Sequence, residues 1–458
     1  MVAVASLGSL VSSLTASVVG VILPKIGAWA HMGIMDVQWV SLVPMVVISA
    51  VLLPAGRLSD IIGHKRVYLG GVAFVGVGSL GCAVAPEFWT LLLARALSGV
   101  GAAMTMATAP ALVSLAASPG HRGRALGMVS TAIYVGLAFG PPLGGLLESL
   151  GDFRTVFWFQ VPVSVLLYLF TWKLMPETPV RPGRKRIDHA GAFFLTLAIT
   201  GLLLALSRTE SWPRWAILAS TVVGILGLVA FVAVEKRTAV PMLDLSLFGD
   251  WTFTSATVGA LLNYVAVFHV VFLMPFYLDD ILGMASREAG LYLMAMPIVM
   301  SLVAGPSGYL SDRVGSRMPS FVGMAVMAAG MVWLTHQGAV LESLGLLAAT
   351  CVVGLGTGIF ISPNTNTLMS AAPRASQGSA AGVMALARSV GMMAGTALSA
   401  AVYGTVMEGT MASGVPFETA GAEGLRVAWW VGALVAVAAS LVVLVRPRAS
   451  SRGHDSGV

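Results

Sequence analysis

Read for apolar against polar positions, the chain is a succession of long apolar runs separated by short polar loops. "YLGGVAFVGVGSLGCAVA" (68–85) and "AWWVGALVAVAASLVVLV" (428–445) hold no charge over about 18 residues, the length a membrane-spanning helix needs. Such runs recur from end to end. They predict fourteen spans, near 3–26, 37–57, 67–85, 89–115, 124–149, 153–173, 188–208, 213–234, 251–280, 285–310, 317–337, 343–370, 377–407 and 424–446. The first run has no basic residues ahead of it, as a signal peptide would, and is expected to stay as the first span.

Composition agrees. Of 458 residues 57% are hydrophobic and 10% charged, against about half and about a quarter in a soluble domain. The expected fold class is an all-α integral membrane protein. No extramembrane segment is long enough for a domain, and no nucleophile constellation or nucleotide loop argues for an enzyme. Net charge is +6, but the basic residues are scattered among loops, so a nucleic-acid partner is not expected. Every second loop is basic: His64-Lys65-Arg66, Arg122 with Arg124, "RPGRKR" (181–186), Lys236-Arg237, Arg313 with Arg317, Arg374, and Arg446, Arg448 and Arg452. The intervening loops carry acids such as Glu87, Glu148, Asp152, Asp279, Asp280, Glu408 and Glu418. Lys/Arg excess marks the cytoplasmic face of the plasma membrane, so both termini are expected inside, which requires an even number of spans. Cys82 and Cys351 fall inside apolar runs as reduced core residues, with no disulfide or metal framework.

One polar template is written twice. "PAGRLSDIIGHKR" (54–66) and "PSGYLSDRVGSRM" (306–318) both read P-x-G-x-L-S-D-x-x-G-x-[KR], with Asp60 and Asp312 offset by 252. Gly123, Gly127, Gly136 and Gly140 are echoed by Gly378, Gly382, Gly391 and Gly395 at an offset of 255. Two matches at nearly one offset predict duplicated halves of parallel topology. The offset exceeds the length of six spans and leaves room for two more. The expected layout is a six-helix bundle over 1–175, a linker with two extra spans over 176–240, a second six-helix bundle over 241–448, and a tail at 449–458.

In each template copy glycines permit a tight reversal, an aspartate at a helix end can accept backbone N–H groups or meet an arginine, and basic residues meet anionic headgroups. Gly56, Asp60, Gly63, Lys65, Arg66, Gly308, Asp312 and Gly315 are therefore candidate latch residues, the first copy being the stronger because the second lacks the His64-Lys65 pair. These loops resemble the G-x-L-a-D-r-x-G-r-[KR] motif of the major facilitator superfamily. "RALSGVGAA" (95–103) resembles that family's fourth-helix motif, with Ser98 for glutamine, and "GLAFGPPLGG" (136–145) its fifth-helix antiporter motif. "QWVSLVPMVV" (38–47) and "DFRTVFWFQVP" (152–162) are similar to segments of the fourteen-span drug:proton antiporter branch. The resemblance implies proton-coupled efflux of amphipathic organic compounds by alternating access, with a proton gradient and no cofactor. It also implies a small organic substrate and a bilayer as partners, and a monomer. The sequence departs from that branch in its first span, where Thr15 stands for an acid and Gly20 for an asparagine, and at Pro44, where a tyrosine is usual.

A charge in the bilayer core costs about 2.5–3.5 kcal/mol, so each one needs a reason. Arg95 is implied near the proton pathway by the resemblance, or is a structural donor to helix carbonyls. His269, the one histidine deep in a span, and Asp279, beside Asp280 at a span end, are further proton-coupling candidates. Without proton coupling, the same fold would carry a metabolite or lipid-like molecule. Gly136, Gly140, Pro141, Gly144 and Gly145 form the candidate gating stretch, because Thr396 rather than proline follows the repeat mate Gly395. Tyr134, Asn263, Asn364, Asn366 and Arg388 are cavity candidates. Asn263 and His269 lie about 120° apart on one helix, and Asn364 and Asn366 point roughly oppositely.

Overall fold

Helices fill every predicted apolar run. The computed structural model describes residues 2–116, 122–177, 189–207, 213–238, 243, 245–336, 343–373 and 377–445. In chain order these form α1 (Val2–Ala30), the short α2 (Ile34–Val37), α3 (Trp39–Ile62), α4 (His64–Ala83), α5 (Phe88–Ala116), α6 (Arg122–Ser149) and α7 (Arg154–Leu174). Then come α8 (His189–Ser207), α9 (Arg214–Arg237), α10 (Trp251–Phe276), α11 (Ser286–Val314), α12 (Arg317–Thr335), α13 (Ser343–Ala371), α14 (Gln377–Ala412) and α15 (Phe417–Leu444). Among the described residues twelve helices are long and apolar enough to cross a membrane. The apolar part of α8, Ala190–Leu206, is shorter, and α6 is outside the twelve. The basic stretch 181–186, Arg374 and the tail lie outside the described residues.

The two halves pair their helices by one scheme. In the first, α1 packs on α6, α5 on both α4 and α3, and α4 on α7; in the second, α10 packs on α14, α13 on both α12 and α11, and α12 on α15. Because lipid tails are as apolar as leucine, close backbone approach rather than hydrophobicity holds such helices together. Glycine frames supply it. A Cβ on Gly136 would lie 2.5 Å from the Leu10 carbonyl oxygen of α1, and one on the repeat mate Gly391 would lie 2.5 Å from the Leu261 carbonyl of α10. Helices α8 and α9 form a hairpin crossing at Gly201, Gly224 and Gly227, and α8 rests on both α3 and α14.

Three local features depart from uninterrupted spans. α2 precedes α3, a 3-10 turn at Leu245–Gly249 precedes α10, and α10 passes after Pro275 into a π-helical turn at Tyr277–Ile281 that carries Asp279 and Asp280. At the same end of the molecule Arg154 ties down the "DFR" loop. It stacks 4.7 Å from the Trp29 ring, pairs with Asp152 at 2.8 Å and donates to the Ala85 carbonyl at 3.1 Å.

Candidate functional site

The twin loops share one backbone device. α3 stops at Gly63, with φ 99° and ψ 139°, and α4 begins at the next residue; α11 stops at Gly315, with φ 82° and ψ 154°. An L side chain is strained there, which is why the template keeps a glycine at that place. The side chains of Asp60 and Asp312 lie outside those described, as does that of Tyr134. Around the first copy, buried Lys65 donates to the Trp172 carbonyl at 3.0 Å and approaches Glu177 at 3.6 Å, with exposed Arg66 at 3.8 Å from the same carboxylate. That copy is thus bound to the end of α7 in its own half. In the second, Arg313 stacks on Tyr309, and Arg317 donates to the Leu444 carbonyl at the end of α15. Gly56 and Gly308 are half-buried. The nearest atoms to a Cβ there would be Ala107 Cβ and Ser362 Cβ, so neither seats a backbone crossing.

At the opposite end the two halves meet. Gly136, Gly140 and Gly144 of α6 seat α1: a Cβ on Gly140 would collide with Ser17 Oγ, and one on Gly144 would lie 2.8 Å from the Val18 carbonyl. The other face of the same stretch seats α11 of the second half. A Cβ on Gly145 would run into the Ser286 carbonyl, and one on Gly290 would lie 2.5 Å from the Pro141 carbonyl. α6 remains helical through Pro141 and Pro142. Lys25 of α1 then bridges to Asp279 of the π-helical turn at 2.8 Å, across 254 residues of sequence.

Burial along the helices shows where they part. In α1, Val18, Val19, Val21–Pro24 and Ile26 are buried, whereas Ser9–Thr15 are all half-buried. In α14, Gly395–Ala397 and Ser399–Ala401 are buried, whereas Met384–Leu386 and Arg388–Val390 are half-buried. Cover is thus close at the seam end and falls off toward the twin loops, which we read as a crevice between the halves.

Three of the predicted polar residues, Arg95, Asn364 and His269, are tied to helix backbones instead. Pro44 has no N–H, so the Val40 carbonyl one turn earlier has no helical donor. Buried Arg95 supplies it, with Nε 3.0 Å from that oxygen. The same repair recurs in the second half: Pro363 frees the Ile359 carbonyl, and Ser307 Oγ donates to it at 2.6 Å. Asn364 is buried and donates to the Ala256 carbonyl at 2.9 Å, while exposed Asn366 reaches Ser311 of the second loop at 3.4 Å. His269 is fully buried, its Nδ1 2.8 Å from its own helix's Val265 carbonyl. Its Cβ faces Gly432 of α15, so the ring belongs to the second half's interior. Its Nε2, and both amide atoms of buried Asn263, have no hydrogen-bond partner among the described residues. Arg388 is half-buried on the crevice stretch of α14 and makes no ion pair or hydrogen bond among the described residues.

The structure thus joins Asp279 to Lys25 and the gating stretch to α11, and keeps Arg95, His269 and Arg388 apart. Sequence reasoning missed Lys25, Ser17, Ser286, Gly290 and Ser307. Lys25 was open to detection as the one charge in the first span; the others became visible only with the helix crossings. Among the described residues no group of side chains could hold a metal ion.

Two helix sets built on one pairing scheme, sealed at one end and parted at the other, define a multi-pass membrane transporter. The chain belongs to the Major Facilitator Superfamily, whose profile matches residues 5–396 and, in a second alignment, 256–457. It is similar to multidrug resistance protein Stp of Mycobacterium tuberculosis (strain CDC 1551 / Oshkosh), with 28% identity over 88% of this chain and 76% of that protein. It is likewise similar to the riboflavin transporter RibZ of Clostridioides difficile (strain 630), with 28% identity over 87% and 86%. A solved bacterial homolog of the human lysosomal transporter Spinster shares the fold, with TM-score 0.73, 16% identity and coverage of 97% and 96%.

Proposed function

We propose that the protein exports amphipathic organic compounds across the plasma membrane by alternating access, in exchange for protons. All fourteen long helices cross the bilayer, with both termini and the twin loops on the cytoplasmic side, and one copy of the chain suffices. The observation that carries this reading is the contrast between the seam at Gly145, Gly290 and Lys25–Asp279 and the crevice at the other end. It is the state in which an exporter loads from inside. Rocking the halves about the midplane opens the seam and brings the twin loops together, where Asp60 and Asp312 latch the cytoplasmic side. A latch made in one state alone shifts the equilibrium toward that state. Kinship with a multidrug resistance protein supports efflux, and kinship with a riboflavin transporter keeps the substrate class broad.

A second reading, the same transport without proton exchange, is favoured by one observation. Thr15 occupies the first-span position where the antiporter branch has an acid. Reconstitution in vesicles with a pH dye in the lumen separates the two. Proton exchange predicts a lumenal pH change that tracks substrate movement; substrate movement at constant lumenal pH rules it out.

A further inference from the structure

Among the described residues no carboxylate lies more than about two turns from a helix end. Those inside helices are Asp36, Asp60, Glu148, Glu235, Asp279, Asp280, Glu288, Asp312, Glu408, Glu418 and Glu423, and Glu87, Asp152, Glu177 and Asp250 lie between helices. The middle of every span is therefore free of negative charge. Positive charge does reach inward. Lys25 is matched by Asp279, and Arg95 is tied through Nε to the Val40 carbonyl. Arg388 stands eleven residues into α14, deeper in its helix than any other charged side chain. It is half-buried where that helix borders the crevice, without a partner among the described residues. A guanidinium does not shed its proton, so it needs an anion or water as neighbour.

Resting on the export reading, we propose that the transported compound is an organic anion, an amphiphile bearing a carboxylate, sulfonate or acidic phenol, and that Arg388 is its counter-charge. A guanidinium offers parallel N–H donors that match a planar carboxylate, and half-buried Met384, Met392 and Tyr264 give the apolar body of such a compound a wall. The same charge pattern repels lipophilic cations, since no acid waits for them at that depth. It also bears on energetics. An inside-negative potential drives an anion outward unaided, by about 50-fold in concentration ratio per 100 mV for one charge.

The test uses the full chain in pure phosphatidylcholine vesicles, so that no anionic lipid can neutralise Arg388. Fluorescein serves as the anionic probe and rhodamine 6G as the cationic one. Binding is read from tryptophan quenching and transport from counterflow. The wild type should bind fluorescein at least tenfold more tightly than rhodamine 6G. Arg388→Gln should remove that preference, and Arg388→Lys should restore part of it, with helical circular dichroism and monodispersity confirming that each variant is folded. Preference for rhodamine 6G, or fluorescein binding unchanged in Arg388→Gln, overturns the inference. Selective fluorescein binding without counterflow leaves Arg388 standing as an anion site and overturns instead the export reading on which its part in transport rests.

Discussion

The glycine stretch of α6 (136–145) and its repeat mate in α14 (391–400) start from one frame and end in different work. Both put two glycines against a partner helix of their own half, Leu10 in one case and Leu261 and Val265 in the other. Only α6 goes on to Gly144 and Gly145, where α14 has Ser399 and Ala400, and only α6 carries Pro141. Gly144 extends the contact with α1 to Val18, while Gly145 and Pro141 meet α11 of the other half through backbone carbonyls. Duplication thus accounts for the packing inside each half, and what one copy alone carries accounts for the seam between halves.

The sharpest way to break that comparison is a bulky residue at each stretch. Gly145→Val should bar the sealed state, cutting transport at least a hundredfold in a protein that still inserts, while a cysteine at Leu282, half-buried just after the π-helical turn that carries Asp279, gains reactivity toward an impermeant thiol reagent. Gly391→Val should instead strain a crossing within one half, costing about 1–3 kcal/mol and appearing as a lower Tm with no gain in that reactivity. If Gly391→Val exposes Leu282→Cys just as strongly, the division of labour is wrong.

Next in size, Asp60→Asn should slow transport at least tenfold with folding intact, and Asp312→Asn should slow it less. Equal losses at the two sites would show that the latch is symmetric, despite the Lys65 and Arg66 contacts to Glu177 that mark the first copy.

The Lys25–Asp279 pair is a smaller contributor, because it is partly exposed. Lys25→Met or Asp279→Asn should shift the sealed-to-open ratio about fivefold, near 1 kcal/mol, and the exchanged pair Lys25→Asp with Asp279→Lys should recover most of it. A double-mutant cycle on Leu282→Cys reactivity measures the coupling; additive single effects would deny the pair a role in the seam.

The smallest effect concerns the proline repair. Pro44→Ala returns a helical N–H to the Val40 carbonyl, so Arg95→Met should destabilise that background by about 1 kcal/mol less than it does the native chain. Thermal unfolding in detergent decides this, and an undiminished cost of Arg95→Met would mean that Arg95 acts elsewhere.

Much of the fold was legible because membrane spans are specified by composition over short windows, and repeats by residue identity at a constant offset. The predicted runs coincide with the helices to within a few residues at most ends, and the loop glycines 63 and 315 were marked by the template itself. The candidate residues were less legible, since hydropathy assigns a residue to a span but says nothing of its neighbours. His269 illustrates this: its charge-changing chemistry stood out in the sequence, yet its ring lies between helices of the second half. Arg95 does as well, its partner being a carbonyl freed by a proline 51 positions away.

By itself, then, the sequence determined an all-helical, duplicated membrane protein with two extra helices between its halves, and a span interior without acids. Each of these follows from local composition or from repetition along one chain. Only the tertiary structure decided which end is sealed, that Lys25 meets Asp279, and that Arg388 stands apart on the crevice. Those facts depend on pairs of residues from different helices, and crossing geometry, set by where glycines let backbones touch, is a property of two segments at once.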